Sequence, residues 1–193
     1  MFNECSNIKE IDLSNFNTSN ITNMGFMFSN CKSLSPLNLS NFDTSKVKYM
    51  SYMFDDCSSL SSLNLSNVNT SKVIFVNSMF AGCSSLSSLN LSNFDTSKVT
   101  NMLSIFHGCS SLSLLNLSNL DTSKVTDMSN MFNGCSKLEY INLKNFIKIN
   151  SFSLEDIFNN ISNNIVICKN ENFGKIKGQI KQITCYSSDC SDS

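Results

Sequence analysis

Six cysteines, Cys5, Cys31, Cys57, Cys83, Cys109 and Cys135, follow one another at intervals of 26 residues with no insertion or deletion between them. A period kept that strictly restricts the chain to an array of like units, because a single changed loop length would shift every later column. Other columns travel with the cysteines. Leu13, Leu39, Leu65, Leu91, Leu117 and Leu143 form one, and Phe28, Phe54, Phe80, Phe106, Phe132 and Phe158 form another. A β-branched residue recurs at Ile21, Val47, Val73, Val99 and Val125, and methionine dominates two positions just before the phenylalanine.

About nine inward positions in 26 residues are too few for a core within one unit, so each unit must bury its apolar edge against its neighbours. The expected fold is a repeat solenoid, leucine-rich-repeat-like, over residues 1–160. Its six coils carry a parallel β-strand ladder on one side, where the Leu-Asn-Leu triplets alternate apolar and polar. Short helical or 3₁₀ turns are expected on the other side, where Met-x-x-Met-Phe places apolar residues at i, i+3 and i+4. Gly82, Gly108 and Gly134, with Asn30 and Asp56 in the same column, supply residues that tolerate the left-handed conformation at the end of such a turn. The register fades after Leu154, Ile157 and Phe158. Residues 161–184 are expected to form a C-terminal α/β cap, a strand over Ile165–Cys168 and a helix over Glu171–Ile183. Residues 185–193 are expected to be a polar tail or the start of a further module.

The polar half of the sequence fits the same frame. The chain contains 37 Ser and 29 Asn among 193 residues, a load that by itself suggests disorder, yet 15 Phe, 9 Met and 9 Cys supply a core. Asn15, Asn41, Asn67, Asn93, Asn119 and Asn145 stand just after the strand, where an amide can bond backbone groups of its own and the adjoining coil. Asp43-Thr-Ser-Lys46 and its equivalents are turn segments, with Asp and Lys expected to make a weak surface pair. A net charge of −1 provides no electrostatic footprint for nucleic acid, and no apolar run is long enough to cross a bilayer.

Chemistry-bearing constellations are scarce. The cysteine column lacks histidine partners and the close cysteine pairs of metal sites, and it reads as core packing. Cys168, Cys185 and Cys190 lie off that column, and two of them can pair in an oxidising compartment. His107 is the only histidine and falls in a variable surface column; Asp55-Asp56 and Glu155-Asp156 lack the enclosure that acid–base work requires. The Asp columns are interrupted by Asn17 and Asn69 and followed by Lys, which argues against calcium. A single threonine column, Thr18 to Thr122, is too narrow for an ice-binding face. No catalytic, cofactor or metal residue is therefore assigned. Attention falls on residues that break the repeat without a scaffold reason. Tyr49 and Phe75 replace the polar residue found at Asn23, Asn101 and Asp127, with Tyr52 nearby, while Leu114 and Tyr140 depart beside the strand. Together with the outward column Asn38, Asn64, Asn90 and Asn116, these form the candidate binding surface, since exposed aromatics are favoured interface anchors.

The unit Leu-Ser-Asn-Phe-Asp-Thr-Ser-Lys-Val-Thr-Asn-Met at Leu91–Met102, with Met-Phe-Asn-Gly-Cys at Met131–Cys135, resembles the BspA-type leucine-rich-repeat surface proteins. It is closest to the variant repeated in mycoplasma surface lipoproteins. The resemblance covers residues 1 to about 160. It implies a leucine-rich-repeat-like solenoid, location at the cell surface or secretion, and adhesion to protein or glycan on another cell or matrix rather than catalysis. A rigid surface spacer is the alternative. The ends depart from the surface-protein pattern, with no signal peptide or lipid-attachment cysteine near the start. Met1–Cys5 aligns with Met27–Cys31, so the chain is expected to begin late in a coil, with upstream coils missing.

Overall fold

The computed structural model describes residues 1–147, 157–170, 173 and 181–184. Its repeating unit is a 26-residue coil whose equivalents lie against one another in register. Ring stacking shows this most directly. Phe28, Phe54, Phe80, Phe106 and Phe132 are fully buried, and successive rings stack nearly parallel with centroids 5.7–5.8 Å apart. Phe2 and Phe158 extend the column at its two ends. Leucine, methionine, valine and cysteine columns complete one continuous core.

Three polar columns tie the coils together. Each threonine hydroxyl both gives and takes a hydrogen bond at one residue of the next coil: Thr96 Oγ1 donates to the Asp121 carbonyl at 2.9 Å and accepts the Asp121 N–H at 2.8 Å. Thr18, Thr44 and Thr70 do the same. These side chains are buried, so the threonine column is an internal clamp and not an outer face. The asparagine column reaches the other way, with Asn93 and Asn119 each donating to three carbonyls of the preceding coil. Buried thiols form the third column: Cys57, Cys83, Cys109 and Cys135 each donate to a phenylalanine carbonyl of the preceding coil at 3.1 Å. A small apolar side chain with a weak donor suits that position, which accounts for its exclusive use of cysteine.

The Met-x-x-Met-Phe segments are not helical. Met27, Ser29 and Cys31 N–H groups close overlapping turns onto residues three back, while Met24, Phe26, Phe28 and Asn30 donate to the next coil. Two residues per coil have positive φ, at the columns of Phe26 and of Asn30. A left-handed residue interrupts the run of right-handed dihedrals a helix needs. Stacked turns therefore present the same i, i+3, i+4 apolar face that a helix would, while their alternate N–H groups are released to the neighbouring coil.

The opposite edge also differs from expectation. Four parallel strands, β1 (Leu114–Asn116), β2 (Tyr140–Leu143), β3 (Val166–Lys169) and β4 (Lys181–Thr184), form one sheet in the order β1-β2-β3-β4. The Leu-Asn-Leu segments 37–39, 63–65 and 89–91 make no backbone–backbone hydrogen bond to a neighbouring coil, so the ladder does not run the full length of the repeats. Their coils are joined instead by the turn edge and the Asn column. β3 lies where the cap strand was expected. β4 overturns the end of the expected helix over Glu171–Ile183, because residues 181–183 pair with Val166, Ile167 and Cys168, and an open parallel edge satisfies their backbone. The earlier part of that helix, apart from Phe173, and the tail 185–193 lie outside the described residues, as does Leu154. The expected Asp–Lys pairs are weak: Asp43 Oδ1 accepts the Ser45 N–H and Lys46 Nζ donates to Asn20 Oδ1, while the charge of Lys46 makes only a minor contribution to lowering the Asp43 carboxyl.

Candidate binding surface

Single parallel bridges join Asn23, Tyr49, Phe75, Asn101 and Asp127 into one row along the turn edge. Three members serve as caps: Asn23, Asn101 and Asp127 each accept, through Oδ1, the N–H of the residue two further on, Gly25, Leu103 and Ser129. Tyr49 and Phe75 have no acceptor to offer there. The equivalent N–H groups, those of Ser51 and Asn77, consequently have no hydrogen-bond partner among the described residues. In exchange two aromatic rings stand in solvent, Tyr49 39% and Phe75 38% exposed, stacked at 5.9 Å.

A second pair lies three positions further along the coils. Phe26 is 49% exposed and stacks on Tyr52 at 4.6 Å, 8° from parallel. Both have left-handed backbones, with φ of 57° and 59°. Aromatic residues are disfavoured in that region, and the same column uses Ser78, Ser104 and Asn130 in later coils. Missing caps, aromatic residues at left-handed positions and exposed apolar rings thus coincide on the first three coils, in two ring pairs that each bridge adjacent coils. Phe26 is the residue that sequence reasoning missed. Its signal was present, since it shares a column with Tyr52 where later coils are polar.

The remaining candidates occupy another edge. Leu114, 48% exposed, lies opposite the half-buried Tyr140 across the β1–β2 pair. Asn38, Asn64, Asn90 and Asn116 accept, through Oδ1, the N–H groups of Ser40, Ser66, Ser92 and Ser118, so half of each amide is committed to a local turn. Beside them a shallow groove of about 630 Å³ opens between two coils, lined by Leu89, Asn90, Leu114 and Asn116. The nine residues therefore fall into two surfaces, one aromatic and one amide-rich.

The thiols of the repeat column from Cys31 to Cys135 are shielded. Burial pushes the thiols of Cys57 and Cys135 up to about 12 and those of Cys83 and Cys109 well above the ordinary value. Cysteines of the repeat column are free, while Cys168 is disulfide-bonded. Among the described residues no group of three or more His, Cys, Asp or Glu could hold a metal ion. No described helix is long and apolar enough to cross a membrane.

One described carboxylate is pushed upward. Burial, with the charge of Asp56 adding to it, pushes Asp55 up to about 6, against a hydrogen bond from Ser29 and the charge of His107. A folded value above the ordinary 3.8 means that the folded state holds this proton longer, so stability falls as pH rises from about 4 to about 6 and then levels. Asp43, Asp95 and Asp121 act oppositely, because bonds from Ser45, Ser97 and Ser123 lower their values and that stabilisation disappears in acid. Asp55→Asn isolates the first effect. In urea unfolding at pH 4 and pH 7 the variant should gain on the wild type at the higher pH, by a fraction of the roughly 3 kcal/mol that two units represent, since water screens this half-exposed group. A difference independent of pH would show that Asp55 titrates normally.

The sequence model of a family described as Mycoplasma protein of unknown function, DUF285, matches residues 1–92 and again residues 85–165. The chain belongs to the DUF285 family. No curated protein and no solved structure matches it. The DUF285 matches take in the stacked coils, the aromatic row and the amide column alike, and they stop short of β3.

Proposed function

We propose that this DUF285 chain is a non-enzymatic, leucine-rich-repeat-like solenoid of the BspA type, displayed at a cell surface or secreted, that mediates adhesion to a protein or glycan. The observation that carries this reading is the coincidence around Tyr49, Tyr52, Phe75 and Phe26 of three features unfavourable to the scaffold: exposed rings, missing caps and left-handed aromatic backbones. Exposed aromatics in one cluster are the usual anchors of recognition surfaces. The resemblance of the repeat unit to surface proteins supports the location.

Replacing Tyr49, Tyr52 and Phe75 together by Ser tests the reading on arrays of host and matrix proteins and glycans. The triple variant should keep its fold and lose affinity by about tenfold or more, as expected when central aromatic anchors are truncated. Absence of binding by the wild-type chain to any arrayed material would sink the proposal. The rigid-spacer reading is favoured by the uninterrupted Phe column and threonine clamps, which suit a stiff rod; it requires the triple variant to behave as wild type in adhesion of the intact cell.

A further inference from the structure

The uncapped N–H groups of Ser51 and Asn77 say more about the partner than the rings do. They occupy equivalent positions on adjacent coils, about 4.8 Å apart by the spacing of hydrogen-bonded parallel chains. Ser51 Oγ donates to Asn77 Oδ1 at 2.6 Å, which holds the two residues in register. In flanking coils this N–H meets the side-chain oxygen of Asn23, Asn101 or Asp127. The site is thus a cap position from which two oxygens have been withdrawn, and Asp127 shows that a carboxylate fits it.

The rings bear on the same question. Within each aromatic pair one face of each ring is covered by its partner, at 8° in one pair and 16° in the other. The ring edges of such a pair carry positive partial charge and suit a carboxylate oxygen. Lys48, exposed and next to Tyr49, adds a cation where the neighbouring coils have Thr22 and Ile74. We propose that the patch docks an acidic segment of a partner protein, one carboxylate accepting the N–H groups of both Ser51 and Asn77 while apolar side chains of the segment lie against the rings of Tyr49 and Phe75. This deepens the adhesion reading and rests on it.

Phenylacetate, which joins a carboxylate to an apolar ring, is a suitable probe for ¹⁵N-labelled protein. Its titration should move the Ser51 and Asn77 amide protons downfield and saturably, leaving those of Gly25, Leu103 and Ser129 in place. Tyr49→Asn with Phe75→Asn restores the caps and should weaken the response about tenfold or more, in line with loss of a charged hydrogen bond; thermal unfolding confirms that this variant is folded. The inference is overturned if Ser51 and Asn77 respond no more than the capped residues. It is equally overturned if 2-phenylethanol moves them as strongly, or if cellohexaose rather than phenylacetate saturates them. Those last two outcomes leave the adhesion reading standing with an apolar or glycan partner, whereas silence from every probe together with empty arrays removes both.

Discussion

Phe80→Ala is expected to destabilise the chain by about 3–5 kcal/mol, the range for truncating a fully buried aromatic side chain. Phe80 is 0% exposed and lies between Phe54 and Phe106, at 5.7 and 5.8 Å. Its removal leaves a void in mid-column and uncovers one face of each neighbour. Backbone bonds from Phe80 to Ile105 and from Phe54 to Met79 hold the coils at their spacing, so the void cannot close by sliding them together. Ser88→Ala, at an exposed position on the other edge, provides the control and should change stability by less than about 0.5 kcal/mol. Urea unfolding of both variants measures the difference. Equal, small effects would mean that the register is wrong.

Thr96→Val has the second-largest expected effect and tests a different bond. Valine matches threonine in shape, so the change removes no packing; it removes the one group that accepts from the Asp121 N–H and donates to its carbonyl. Thr96 is 4% exposed, so water has little access to replace those bonds. Two backbone groups left unsatisfied cost about 2–4 kcal/mol in total. Thr96→Ser retains both bonds, loses a methyl group, and should cost about 1 kcal/mol. The order Val worse than Ser is the diagnostic result, since hydrophobicity alone would predict the reverse.

Much of this architecture was legible because the residues that stack coils are chemically exclusive. Cys31 and its equivalents, the Phe28 column and the Asn41 column each allow few residue types, so they recur and reveal the period. The turn edge was harder to read. Its i, i+3, i+4 apolar spacing serves a helix and a chain of turns equally, and what decides between them is a positive φ. At Gly82, Gly108 and Gly134 that conformation is signalled by the residue type. At Phe26, Tyr52, Ser78 and Ser104 it is imposed by the surrounding bonds, and nothing in the side chains announces it. The helix expected over Glu171–Ile183 is a similar case, since Ile183 lies in β4 opposite Cys168, where the sheet edge presents backbone partners that sequence periodicity does not record. Of the candidate site, Tyr49, Tyr52 and Phe75 were visible as departures from their columns, whereas the uncapped N–H groups of Ser51 and Asn77 emerged only when the side-chain bonds of Asn23, Asn101 and Asp127 were seen.

Burial makes the inner thiols of the column chemically quiet. A thiol with a pKa of about 12 is ionised in only about one molecule in 10⁵ at neutral pH, and thiolate is the species that attacks disulfides and oxidants. Once coiled, the inner repeats therefore keep the thiols of Cys57, Cys83, Cys109 and Cys135 out of exchange chemistry, and a disulfide at Cys168 can persist in the same chain. The array can lengthen by whole coils, adding one cysteine each time, without adding a redox liability to the folded protein.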